Sequence, residues 1–230
     1  MNNSEIRIKA LAKAKDYNFS MAGAFAYFIM GVVLLAGDIT GIFAADLAIS
    51  AVLAFLAGLI CGPGYVHVAM ETWRQGKKNF SGLFFGFRNI KSAVIPAAVY
   101  AAMLMVFRFL VLGSRWYFAL AAGIACIALN MIATWAAYGI ELSAAGSTAK
   151  SAVEGVAAML KNLGRVIEMR VNVYWWIAAV MLGILWICDA SGLFSILTAL
   201  VVFLVGLVCR WMVGALTALC EAGLARNLIK

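Results

Sequence analysis

The chain has 230 residues, 66% of them hydrophobic and only 12% charged. A soluble domain of this size carries about a quarter charged residues, so a water-exposed globule is excluded. The net charge of +8, from 18 Lys and Arg against 10 Asp and Glu, would suggest nucleic acid in a soluble protein. In a chain whose apolar blocks are of bilayer length, it suggests cation-rich cytoplasmic loops instead, and no nucleic-acid partner is expected.

Residues 1–18 read as a cytoplasmic amphipathic arm carrying Arg7, Lys9, Lys13 and Lys15. The first apolar block begins near Phe19 with no small-residue cleavage site after it, and is expected to stay as the first span. The rest, 19–230, reads as a single all-α polytopic domain of six transmembrane helices. The spans fall at about Phe19–Ala36, Gly41–Cys61, Ser92–Leu112, Trp116–Tyr138, Val171–Cys188 and Leu193–Met212, each near the 20 or so residues that cross a bilayer. Links of three or four residues follow spans one, three and five, and links of about thirty follow spans two and four. The expected arrangement is three tight hairpins joined by two long connections on one side. Fifteen of the Lys and Arg residues fall on that side, against Arg115 and Arg108 opposite. By the positive-inside rule both termini and both long links are cytoplasmic, in a bacterial inner membrane.

The first long link opens with Gly62-Pro63-Gly64. Pro63 lacks the N–H that a continuing helix needs, so span two is expected to break or kink there. Tyr65 and Trp73 suit the headgroup interface. Phe80, Leu83, Phe84 and Phe87 recur at helical spacing beside Lys77, Lys78, Arg88 and Lys91, which predicts a surface helix over about 80–90. His67 is read as standing alone beside an interface, without carboxylate or thiol neighbours, and so not as a metal ligand.

The second long link repeats this design. Ser151 and Glu154 have capping-box spacing and predict a helix over about 151–168. Val153, Val156, Leu160, Leu163 and Ile167 line one face, while Glu154, Lys161, Arg165 and Glu168 line another. Both link helices are expected on the anionic inner leaflet, with Lys77, Lys78, Phe84, Phe87, Arg88, Lys161 and Arg165 as contacts. Docking of a protein partner on the same faces is the rival.

Few charges fall inside the spans. Asp46 reads either as close to the outer interface or as buried against a polar partner. Arg210 reads as a snorkelling anchor or as an interior cation paired with Glu221 or an anionic ligand. Asn130 and Thr134, one turn apart, suit hydrogen bonds across helices. The five cysteines, Cys61, Cys126, Cys188, Cys209 and Cys220, form no C-x-x-C pair and read as buried free thiols.

Several of these stretches resemble a family, the bacterial multi-spanning membrane proteins grouped as domain of unknown function 975. They are Glu5-Ile6-Arg7, Gly62-Pro63, Ser81-Gly-Leu-Phe-Phe-Gly-Phe87, and Ala152-Val-Glu154 followed by Met159-Leu-Lys161. The chain departs from the pattern in having only Pro63 and Pro96, and in placing Arg210-Trp211 where a Pro-Tyr pair is usual. The resemblance implies six spans in a bacterial inner membrane and no established activity.

No P-loop, H-E-x-x-H, G-x-S-x-G or G-x-G-x-x-G pattern occurs, so neither an enzyme nor a cofactor or metal site is expected. Two functions remain. One is a non-enzymatic component working through its cytoplasmic face as partner or accessory of a membrane assembly. The other is a transporter, or the membrane subunit of an ATP-driven one, for a hydrophobic or lipid-like substrate. The scarcity of mid-membrane polar residues counts against the second.

Overall fold

In the computed structural model, residues 1–14, 17–35, 43–76, 80–106, 116–143, 147–172 and 196–229 are described, and every regular element among them is helical. Helix α1 is Asn3–Lys13, α2 is Tyr17–Leu35 and α3 is Phe43–Leu59. A π turn, Ile60–Gly64, joins α3 to α4 (Tyr65–Gln75). A 3-10 turn, Phe80–Phe84, runs into the short α5 (Phe85–Arg88), and α6 is Ile90–Val106. Then come α7 (Trp116–Leu142), α8 (Thr148–Lys161), α9 (163–172) and α10 (Ile196–Leu228).

Five of the expected spans coincide with α2, α3, α6, α7 and the first half of α10. Nearly all of the fifth, and the three short links, lie outside the described residues. Among the described residues, two runs are long and apolar enough to cross a membrane, Ala45–Gln75 and Ile124–Leu142. Phe80–Arg88 and Ile90–Val106 qualify together as a third, though bent by 101°.

Of the break or kink expected at Gly62-Pro63-Gly64, the break does not occur. The helix passes through Pro63 by widening into the π turn, whose longer hydrogen-bonded rings accommodate a residue without an N–H. The fold packs tightly against that turn. A Cβ on Gly64 would run into the Leu83 carbonyl, and one on Gly86 would lie 2.5 Å from the Leu59 carbonyl oxygen. Residues 80–88 thus close backbone to backbone on the helix they follow. They are not the single helix predicted over 80–90. Asn89 leaves helical geometry (φ −123°, ψ 49°), and the chain turns there into α6.

The second link also differs from expectation. Helix α8 starts one turn early, capped by Ser147, whose hydroxyl accepts from the Lys150 N–H at 3.3 Å. Glu154 instead accepts a hydrogen bond from the Ser143 hydroxyl. Asn162, also non-helical, divides the predicted 151–168 helix into α8 and α9.

Nor is α1 a free arm. Asn2 and Glu5 form a reciprocal capping box that starts it. Ile6 and Ala10 are then fully buried, against α10 and α4. Lys13 donates to the Trp73 carbonyl at 2.8 Å, placing a cation on the last turn of α4. Gly76, at φ +64°, ends that helix in the left-handed conformation glycine favours.

Three buried clusters result among the described residues, the smallest being Leu59, Ala93 and Ala97 where α6 packs on α3. Another, built from small side chains, joins α2, α3, α6 and α7 through Ala26, Ala54, Ala57, Cys61 and Ala133 with Tyr100 and Met103. The largest gathers α1, α4, α8, α9, the ends of α7 and α10, Ala22 of α2, Ile60 and Leu83 around Trp73, Trp135, Tyr138, Met159, Met169 and Leu219.

Candidate functional site at the polar ends of the helices

His67 stands just past the π turn, where α4 leaves the apolar stretch. Its Nδ1 lies 2.7 Å from Glu141 Oε1, on the last turn of α7. Glu141 ends in a carboxylate, so the ring N–H is the donor. His67 Nε2 lies 3.8 Å from Glu71 Oε1, one turn further along α4. Phe85 stacks on the imidazole at 4.0 Å between centroids, and Arg74 donates to the Glu141 carbonyl at 3.2 Å. Burial alone would lower the imidazole pKa. The hydrogen bond to Glu141, then the charges of Glu141 and Glu71, outweigh it and hold the pKa above 6.5, with Arg74 opposing. Pro63, Phe85, Ala93, Ala137, Ile140 and Glu141 line a small cavity beside this pair. The arrangement can hold a proton and tie α4 to α7. Among the described residues no group of three or more His, Cys, Asp or Glu is placed to hold a metal.

A second polar group lies among α7, α9 and α10. Arg170 Nε pairs with Glu221 Oε1, and Arg170 Nη1 donates to Asn130 Oδ1 at 3.4 Å. The side chains are only 16% and 5% exposed. Close by, the Tyr138 hydroxyl donates to the Ala218 carbonyl at 3.0 Å. Thr134 does not bond across helices but donates to the Asn130 carbonyl in its own helix. Removing one partner of such a pair would strand a buried charge.

The expected site residues scatter. Glu221 and Asn130 meet, brought together by Arg170. Arg210 lies on α10 between them and the start of that helix, but its side chain is outside the described residues. Asp46 is buried on the first turn of α3. Arg165, expected on the membrane surface, is spent within the fold. It donates to the Met1 carbonyl at 3.0 Å and to Asn3 Oδ1 at 3.4 Å, while Asn3 donates to Glu168 at 2.7 Å. Lys77 and Lys78 are outside the described residues. Phe84, Phe87, Arg88 and Lys161 are exposed. Cys61, Cys126 and Cys220 are buried free thiols.

His67 with its two carboxylates is what sequence reasoning missed. The i, i+4 spacing of His67 and Glu71 was legible. Glu141, 74 residues away, was not. No protein-family model, curated protein or solved structure matches the chain.

Proposed function

We propose that the chain is a six-span protein of the bacterial cytoplasmic membrane, with three helical hairpins and both termini and both long links inside. On this reading it acts without catalysis of its own, as a partner or accessory component of a membrane assembly engaged through the cytoplasmic face. The resemblance to domain of unknown function 975 is in keeping with that architecture. The observation that carries the reading is the largest buried cluster. The segments assigned to the cytoplasm by their cations, α1, α4, α8, α9 and the end of α10, share one core, which also takes in Ala22 of α2 and the second half of α7. Links that only joined spans would have no need of it, whereas a docking platform needs a rigid layer.

Purification from native membranes after mild crosslinking tests this. A stoichiometric protein partner is expected, and its yield should fall when Lys150 and Lys161 are changed to Glu. Recovery of the chain alone under every crosslinking condition would contradict the proposal.

A second reading, a transporter or transporter subunit, gains from one observation. Asn130, Arg170 and Glu221 supply interior polar groups of the kind transport sites use. An ATPase as the stoichiometric partner would favour it.

A further inference from the structure

Where the chain turns into α6, large apolar side chains and cations lie together on the surface. Phe84, Phe87 and Ile90 are 39%, 40% and 50% exposed, and Val94 continues the strip onto α6. The opposite side of the same segment is closed, with Leu83 and Gly86 buried against the π turn. Arg88 and Lys91 are exposed beside the rings and form no ion pair among the described residues. Glu71 and Glu141 face His67. The segment meets α6 at 101°, so if α6 crosses the bilayer the segment runs along its surface.

From this juxtaposition we infer that Phe84–Lys91 is a binding site for anionic lipid, with the two rings in the acyl boundary and Arg88 and Lys91 on acidic headgroups. The inference rests on the reading of α6 as a span. Three features favour lipid over a protein occupant. The strip is continuous with the outward face of that span. Aromatic rings beside cations match the chemistry of the headgroup region. And the site is held rigid from behind by backbone contact at Gly64 and Gly86, so it need not be ordered by its occupant. Each Lys or Arg close to an anionic leaflet raises partitioning about fivefold, so two give more than an order of magnitude.

A local readout avoids confusion with other cations. A photoreactive benzoylphenylalanine replaces Phe87 in the full chain, reconstituted in vesicles of phosphatidylcholine and phosphatidylglycerol at about three to one. The expected result is lipid adducts in which phosphatidylglycerol is enriched about tenfold or more over the vesicle ratio. Enrichment should fall towards the vesicle ratio in the R88Q/K91Q background and in high salt. Lipid adducts at the vesicle ratio in both backgrounds would overturn the site. So would adducts to protein, no adducts, or enrichment abolished by inorganic phosphate, which would make it a free-anion site. R88Q/K91Q alters only exposed side chains, so it tests the headgroup contact even if the photoreactive variant assembles poorly and lipid retention must be counted by native mass spectrometry. A topology reporter after residue 78 separates the two levels. A periplasmic signal there would remove the span reading, whereas a cytoplasmic signal with unenriched lipid would remove the lipid site alone.

Discussion

The two long links reach a similar end by different means. The first grows out of α3 without a stop, carried through Pro63 by the π turn, and folds back on that turn at Gly64 and Gly86. The second is a separate helix with its own Ser147 cap, pressed on α7 where Gly139 and Gly155 approach so closely that a Cβ on Gly155 would lie 2.7 Å from Gly139 Cα. Their polar ties differ as well. The first is fastened by His67 and Glu141 and the second by Arg170 and Glu221, both pairs largely buried. A tie made by a titratable ring can be released by pH. A guanidinium keeps its charge over the range in which an imidazole titrates. The first tie is therefore expected to respond to pH near neutrality and the second to stay fixed there.

Breaking the fixed tie should have the largest effect. Arg170→Ala leaves Glu221 buried without its partner and is expected to cost about 3–5 kcal/mol, read as a fall in thermal midpoint in detergent. Arg170→Met with Glu221→Leu should recover most of it, because the charge to be buried is then gone. Next come the glycine contacts. Gly155→Val should undock α8 at a cost of about 1–3 kcal/mol, seen as new protease cleavage in 147–172 with 62–91 still protected. Gly64→Val should give the reverse pattern.

The titratable tie is expected to contribute about 1–3 kcal/mol where the ring is charged. Its sign follows from the raised pKa. His67 stabilises fully below its ordinary 6.5, and the contribution is lost as pH rises through the higher folded value. Hydrogen exchange in 65–75 should accelerate on passing from about pH 6 to pH 9, while exchange in 148–161 changes only by its intrinsic chemistry. His67→Gln should abolish that difference. The smallest effect belongs to the cap, where Ser147→Ala should loosen the first turn of α8 by about 1 kcal/mol.

How far these links were legible in the sequence depends on which physical term decides each feature. Apolar blocks are summed over many residues and reappear as helices, whereas the sidedness drawn from the cations stays a proposal. Which face of α8 turns inward was not legible. The stripe of Val153 and Leu160 is the more hydrophobic, yet these side chains are 66% and 60% exposed, while Ser151, Ala152 and Gly155 are buried. Helices that lie in or beside a bilayer gain little by hiding large apolar groups from lipid, and approach closely where side chains are small. The apolar stripe read as facing the bilayer or a partner is thus the face left exposed, and what the pattern did not show is that the small-residue face packs on α7. The Pro63 break failed for a related reason, since neighbours packed around the helix let it absorb the proline. Glu141 and Arg170 find their partners across 74 and 51 residues, and local spacing does not encode such distances.

The central claim is that both links and both ends of the chain share the cytoplasmic side. Fusing paired periplasmic and cytoplasmic reporters after Asp38, Lys78, Arg115, Lys150, Asp189 and Lys230 tests it most directly. The account predicts cytoplasmic signals after Lys78, Lys150 and Lys230 and periplasmic signals after Asp38, Arg115 and Asp189. A periplasmic signal after Lys78 or Lys150 would contradict it.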